Sequence, residues 1–125
     1  MTTVTLVYGG SGATRERFIA AHVAKDESTA VIIEGLAGQG ALDDLPDASM
    51  KPAVVRIAPG CPCCTGKLTM RVTLNRLLKE HPAQLFISLA ADAHLSGVIN
   101  FLQEDQYRGR LTLGEPVDCS ITGPD

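Results

Sequence analysis

Short, continuous apolar runs alternate with segments of helically spaced apolar residues along most of this chain. Apolar runs of this length are typical of parallel strands that are covered on both faces, and helically spaced apolar residues predict the helices that cover them. A strand that is followed by a helix and then by a parallel strand needs a crossover connection, so the alternation predicts a sheet between two helical layers. We therefore expect a three-layer α/β fold with a mostly parallel sheet.

The predicted strands and helices can be placed along the chain. We expect four main strands, at residues 3–8, 30–33, 53–57 and 85–89, and two short ones, around 111–113 and 117–121. Helices are predicted after the first, third and fourth strands; the second of these begins near Thr65 and ends at His81-Pro82. Residues 35–52 hold glycines, aspartates and prolines without a clear period and are predicted as the longest loop.

Length and charge exclude several classes of protein. At 125 residues the chain is too short for two domains, and we expect one domain over residues 1–125. Eleven basic residues are scattered among fourteen acidic ones, so no nucleic-acid partner is expected. There is no signal-peptide pattern and no apolar stretch of about 20 residues, the length that spans a bilayer. We therefore expect a cytoplasmic protein with no membrane partner.

Gly9, Gly10 and Gly12 follow the first strand and precede a helix, which is the pattern of a phosphate-binding loop. Glycines let consecutive backbone N–H groups turn towards an anion, and the N-terminus of the helix favours negative charge. The nucleotide motif also needs a lysine and a magnesium-binding hydroxyl, and counting from Gly9 these places hold Arg15 and Glu16. A forked guanidinium does not reproduce the lysine's contact, and a carboxylate repels phosphate oxygens.

Three interpretations of this loop stay open: a purely structural turn, a residual anion- or nucleotide-binding loop, and a competent triphosphatase. The substitutions at the end of the motif argue against the third, so GTP and Mg²⁺ are not expected as cofactors. The residues that would contact a bound anion or nucleotide are Gly9, Gly10, Ser11, Gly12, Ala13, Thr14 and Arg15.

Cys61, Cys63 and Cys64 place three thiols within four residues, between a predicted strand and a predicted helix. Thiolates gathered on a short loop suit Zn²⁺ or a softer ion such as Cu(I), and in a reducing compartment cysteines serve as thiols or metal ligands rather than as disulfides. We therefore predict these cysteines as ligands of a thiophilic transition metal, with zinc as the first candidate. Thiol redox chemistry is the alternative, although a disulfide between the adjacent Cys63 and Cys64 would be strained.

Three sulfur ligands leave a tetrahedral zinc ion one ligand short. Water, a distant residue or a thiol of a second molecule could supply the fourth, and the candidates within the chain are Asp92, His94 and Cys119. Each also has a structural interpretation: a helix N-cap with a solvated histidine for the first two, and a small core residue for Cys119. His22 is interpreted as a core or boundary residue and His81 as a cation at a helix end.

The order of these features resembles the CobW-type family of P-loop GTPases and metallochaperones, which is related to the nucleotide-binding proteins of urease and hydrogenase maturation. The segments that carry the resemblance are VTLVYGGSG at residues 4–12, VIIEG at 31–35, PGCPCCT at 59–65, and the strand at 85–89 with the Ala90-Ala91-Asp92 that follows it. The most specific match is to the family's G-C-x-C-C motif, at Gly60, Cys61, Cys63 and Cys64. The resemblance implies a P-loop NTPase-like half-domain, a metal role for the cysteines and, in competent members, GTP hydrolysis linked to metal delivery.

The chain departs from the family pattern in the nucleotide site. Arg15 and Glu16 replace the family's Lys and Thr, Ser88 lies where the family has a glutamate, and no N-K-x-D segment for guanine occurs. The resemblance spans about the first half of a family GTPase domain, so we expect a truncated relative without the C-terminal domain and without GTP hydrolysis.

Three functions follow from these observations. The leading hypothesis is a metal-binding, CobW-like protein that carries metal or acts as the partner of a complete GTPase. A homodimer would suit this function, because a second chain could complete the metal site and cover the edge of the sheet. The second hypothesis is a nucleotide-binding GTPase or ATPase with a non-standard P-loop that uses Arg15, and the third is a thiol redox protein.

Overall fold

The computed structural model describes residues 2–22, 28–34, 53–57, 65–90, 95–104 and 107–121. The strands within these ranges are β1 (Thr2–Tyr8), β2 (Thr29–Glu34), β3 (Ala53–Ile57), β4 (Gln84–Ser88), β5 (Leu111–Leu113) and β6 (Val117–Asp118). The α-helices within them are α1 (Gly12–Ala21), α2 (Thr65–Leu78) and α3 (Leu95–Leu102). The four main strands lie within one residue of their predicted ends, because runs dominated by apolar and β-branched residues mark a doubly covered strand along most of its length.

Every strand pair within the described ranges is parallel, and the strand order is β3-β2-β4-β1-β5. The short strand β6 pairs with the last two residues of β1, on the same edge as β5, because β4 occupies the other edge of β1. Parallel strands bring their carboxyl ends to one edge of the sheet. Tyr8, Glu34, Ile57 and Ser88 end their strands there.

The helices cover both faces of the sheet. Val4 and Leu6 of β1 belong to the larger buried cluster, which also holds residues of α2 and α3 such as Leu74 and Phe101. Val7, which points to the opposite face, packs with Ile19 of α1 in a smaller cluster. The predicted α/β fold with three layers and a mostly parallel sheet is therefore confirmed.

The end of the chain differs from the prediction of a strand over residues 117–121. The strand stops at Asp118, and a 3-10 turn occupies Cys119–Ile121. Asp118 Oδ1 accepts hydrogen bonds from the backbone N–H of Ser120 at 2.9 Å and from the Ser120 hydroxyl at 2.6 Å. Local bonds of this kind compete with strand pairing, which is why the apolar pattern overstates the length of β6.

The helices in the described part of the chain are short or polar on one side. None of them is both long and apolar enough to cross a bilayer.

Candidate functional site

The glycine loop, residues 9–12, joins the carboxyl end of β1 to the start of α1. Gly9 has φ 75° and Gly10 has φ 64°, a left-handed backbone that residues with a side chain rarely adopt. Ser11 then caps the helix, because its hydroxyl oxygen accepts the backbone N–H of Thr14 at 3.1 Å. Two consecutive left-handed residues let the chain leave the sheet and enter the helix within a few residues.

Arg15 folds back beneath this loop and is only 6% exposed. Its Nη1 donates hydrogen bonds to the carbonyl oxygens of Gly9 and Gly10, both at 3.1 Å. Its Nε donates to Ser88 Oγ at 2.9 Å. The guanidinium therefore joins the glycine loop to the end of β4. A phosphate group that used these same N–H donors would have to displace oxygen atoms of the protein itself.

Glu16 is 2% exposed and its carboxylate is bound by Arg56 of β3. The pair is forked, with Nη1 3.1 Å from Oε2 and Nη2 3.2 Å from Oε1, which is the strongest geometry for these two groups. The sequence predicts that this carboxylate repels phosphate oxygens, and the structure adds that its charge is balanced by Arg56.

Further buried polar groups lie at the same edge of the sheet. Glu34, the last residue of β2, is 5% exposed, and its Oε1 accepts the backbone N–H of Ala90 at 2.9 Å. Ser88 is fully buried at the end of β4. No buried side-chain nitrogen or oxygen in the described ranges lacks a hydrogen-bond partner. Sequence reasoning assigned no role to Glu34 or Arg56; a polar residue that ends or interrupts an apolar run is the signal that could have found them.

The C-terminal segment packs directly against the glycine loop. A Cβ atom added at Gly9 would collide with Asp118 Oδ1, and one added at Gly10 would lie 3.4 Å from the carbonyl oxygen of Cys119. The short strand β6 places this segment, because it pairs Tyr8 with Asp118 next to the loop. Gly9 therefore serves a close approach between two parts of the chain as well as a tight turn, whereas Gly10 serves the turn alone.

The structure describes all seven residues predicted to contact an anion or nucleotide. Ser11 and Thr14 are joined through their hydroxyls, which lie 2.9 Å apart, and Arg15 binds the loop carbonyls and Ser88. Gly12 is the first residue of α1, with Ala13 next to it. These residues are brought together at the carboxyl edge of the sheet, as the strand, loop and helix pattern predicts.

The predicted metal ligands Cys61, Cys63 and Cys64, and the candidates Asp92 and His94, lie outside the described residues. The elements on either side of the cysteine motif are described: β3 ends at Ile57 and α2 begins at Thr65. Over the ranges that the structure covers, no group of three or more His, Cys, Asp or Glu side chains could hold a metal ion.

Three other residues named from the sequence have definite positions. Cys119 is 2% exposed in the cluster around α1, as its interpretation as a small core residue expects. His22 is exposed at the C-terminal cap of α1, where its ring stacks on Phe18 at 4.2 Å and Nδ1 lies 2.8 Å from the Phe18 carbonyl oxygen. A core position for His22 is therefore wrong, because the helix ends just before it. His81 is exposed after the end of α2.

Comparison with known proteins identifies no relative. No family model matches the chain, and neither a curated protein nor a solved structure does.

Proposed function

We propose that this protein binds a thiophilic metal ion, with zinc as the first candidate, through Cys61, Cys63 and Cys64. The observation that carries the proposal is the three sulfur donors within four residues, bracketed by the end of β3 at Ile57 and the start of α2 at Thr65. Thiolates are the ligands that zinc and copper(I) prefer among protein side chains. Ligands of open parallel sheets also collect beyond the carboxyl ends of the strands, where β3 ends.

The contacts of the glycine loop argue against nucleotide hydrolysis. Arg15 binds the carbonyl oxygens of its own loop, and Glu16 binds Arg56, so neither side chain takes the role of the motif's lysine or hydroxyl. The resemblance to the CobW-type family then suggests a metal carrier or the partner of a complete GTPase. The metal in this proposal is cargo, and the cytoplasm, which keeps thiols reduced, is the compartment that suits it.

The burial of Cys119 reduces the number of candidates for the fourth metal ligand. Cys119 is buried in the core cluster of α1, which makes it a poor fourth ligand. Asp92, His94, water or a thiol of a second chain remain for that position. A homodimer that shares the metal would show half of a metal ion per chain, whereas a complete intramolecular site would show one.

The test measures the metal content of protein purified without chelator and its affinity for zinc in competition with a chromophoric chelator. We expect bound metal in the native protein, loss of it in Cys63→Ser, and retention in Cys119→Ala. Cys119→Ala is the matched control, because it also removes one thiol, and that thiol is buried in the core cluster with Ile19.

Three outcomes separate the hypotheses. Native protein without metal and without zinc affinity tighter than about 1 μM, which corresponds to about −8 kcal/mol, would contradict the proposal. Reversible thiol oxidation without metal uptake would favour the redox alternative. Turnover of a magnesium nucleotide would favour the GTPase or ATPase alternative, whose specific support is the pair of left-handed glycines before a capped helix.

A further inference from the structure

A second candidate site lies at the amino-terminal edge of the sheet, opposite the glycine loop. A cavity of about 190 Å³ opens there, and it is lined by Thr2, Leu78, His81, Pro82, Gly109 and Arg110. Thr2 begins β1, while Pro82 and Arg110 come just before β4 and β5. A cavity of this volume holds several water molecules at about 30 Å³ each, and so has room for a small polyatomic ion.

The charged side chain among the described lining of this cavity is a cation, the guanidinium of Arg110. His81 and Arg110 are both exposed, and no hydrogen bond or ion pair joins either side chain to another residue in the described ranges. Glu80 precedes His81 but lines a separate cavity, together with Arg76. The described lining therefore combines one guanidinium and one imidazole with no acidic side chain.

The C-terminal end of α2, which carries the negative end of the helix dipole, has its last carbonyl groups hydrogen-bonded within the protein. The carbonyl oxygen of Leu77 accepts the backbone N–H of Glu80 at 3.1 Å, and that of Leu78 accepts the backbone N–H of His81 at 3.0 Å. These bonds satisfy carbonyl groups that would otherwise point out of the helix end and repel an anion. The helix terminus does not cancel the positive charge of the cavity.

The backbone holds His81 in an unusual conformation. Its φ is 51°, a left-handed value that it alone adopts among the described residues other than glycine. Pro82 follows His81, and its carbonyl oxygen accepts a 2.6 Å hydrogen bond from Thr2 Oγ1. This bond joins the turn to the start of β1. A left-handed residue is common just after the end of a helix, and here it places His81 between α2 and β4.

We propose that this cavity binds a small oxyanion of the phosphate class, held by the guanidinium of Arg110 and the imidazole of His81. A guanidinium presents forked N–H donors that match two oxygen atoms of a tetrahedral anion, and an imidazole N–H supplies a further donor. The anion is either a free ion or the phosphoryl group of a larger molecule. The site is independent of the proposed metal site, which follows the carboxyl end of β3.

The test titrates the full ¹⁵N-labelled chain with inorganic phosphate, at constant ionic strength and in the presence of a metal chelator. We expect saturable changes in the amide signals of His81 and Gly109. Arg110→Gln should weaken binding about tenfold, the usual effect of losing a charge-assisted hydrogen bond. The matched control is Arg17→Gln, which removes the same charge from an exposed position on α1 and should change the affinity less than about twofold.

One further variant and one further ligand complete the test. Arg110→Lys keeps the charge without the fork and should bind with intermediate affinity, which also guards against misfolding of Arg110→Gln. Tighter binding of a nucleoside monophosphate than of phosphate would assign the site to a phosphoryl group, and equal affinity would assign it to the free ion. A linear response without saturation, or equal weakening in Arg17→Gln and Arg110→Gln, would overturn the proposal.

Discussion

The guanidinium of Arg15 shows how one residue changes what a glycine loop can do. The residue takes the lysine's place in the motif, but the planar head group reaches three oxygen atoms of the protein, on Gly9, Gly10 and Ser88. A lysine ammonium, as a compact charge on a flexible stem, cannot make this fixed set of contacts. The positive charge is therefore used to hold the loop on the sheet.

Replacement of Arg15 should destabilise the fold. In Arg15→Ala the loop carbonyls and Ser88 lose their buried donor, and we expect the free energy of unfolding to fall by about 2–4 kcal/mol. Arg17→Ala, at an exposed position of the same helix, should change it by less than about 0.5 kcal/mol. Urea denaturation measures both values, and equal effects of the two variants would show that the contacts of Arg15 contribute nothing.

Contacts between elements connect the C-terminal segment to the glycine loop. The pairing of β6 with β1 brings Asp118 against Gly9, and the two hydrogen bonds from Ser120 hold the Asp118 carboxylate in that position. The loop is therefore fixed by Arg15 from within and by the C-terminal segment from the side.

Comparison of Gly9 with Gly109 distinguishes the energetic cost of backbone strain from that of a steric collision. Gly9 and Gly109 both have left-handed backbone, with φ 75° and 81°, but a Cβ atom at Gly109 would meet no atom within 4 Å. Gly109→Ala should cost about 1 kcal/mol, the price of strain alone. Gly9→Ala should cost about 2–4 kcal/mol, because Asp118 must also move.

The double variant Gly9→Ala, Asp118→Ala tests this explanation. If the collision is the cause, removal of the Asp118 carboxylate should recover part of the stability that Gly9→Ala loses in denaturant unfolding. A double variant as unstable as the sum of the two single variants would contradict it.

Tyr107 lies after α3 and contacts α2, and its ionisation makes the free energy of unfolding depend on pH in the alkaline range. It is 1% exposed, its hydroxyl lies 3.1 Å from Asn75 Oδ1, and its ring meets Phe101 edge to face. Desolvation by burial raises the pKa of Tyr107 above its ordinary value of 10.0, Glu104 adds to this, and Arg71 and Arg110 oppose it. The folded state therefore keeps the phenol proton at a pH where the unfolded chain loses it.

The sign of the effect follows from this raised pKa. Below the pKa of about 10 that Tyr107 has in the unfolded chain, its contribution to the free energy of unfolding is fully present. That contribution is lost as the pH rises through the higher pKa of the folded state, because the unfolded chain ionises first. We expect the free energy of unfolding to fall less between about pH 8 and about pH 11 in Tyr107→Phe than in the native protein. At neutral pH, Tyr107→Phe should cost about 1 kcal/mol for the lost hydrogen bond. An identical pH dependence of the two proteins in urea unfolding would contradict the assignment.

At the scale of the whole molecule, the two faces of the sheet are unequal. The described residues place sixteen buried side chains in the cluster with α2 and α3, and six in the cluster with α1. The cysteine motif precedes α2, which packs into the larger cluster through Met70, Leu74, Leu77 and Leu78. A ligand that holds the start of α2 would therefore act on the main core.

Metal binding should then raise the stability of the entire fold. At a free zinc concentration of a hundred times Kd, linkage predicts a gain of about 2.7 kcal/mol, or about 10 °C in Tm for a chain of this size. Addition of a chelator should reverse the gain, and Cys63→Ser should not respond to zinc, whereas Cys119→Ala should. Thermal unfolding followed by circular dichroism measures the shift. A native Tm that is insensitive to both zinc and chelator would contradict the linkage.

The sequence by itself determined the class and order of the fold. Runs of four to six mostly apolar residues predicted the main strands, and the helical spacing of Met70, Leu74, Leu77 and Leu78 predicted the buried face of α2. It also located the glycine loop between a strand and a helix. These features depend on neighbours in the chain, so local spacing is enough to reveal them.

Only the tertiary structure decided which groups meet. Arg15 and Ser88 lie 73 residues apart, and Glu16 and Arg56 lie 40 apart, so their pairing depends on the order in which strands join the sheet. The approach of Asp118 to Gly9 depends on the pairing of β6 with β1 in the same way. Periodicity tells which face of an element is buried but carries no information about its partner in space, and that partner determines whether a charged side chain is available to a ligand or bound within the protein.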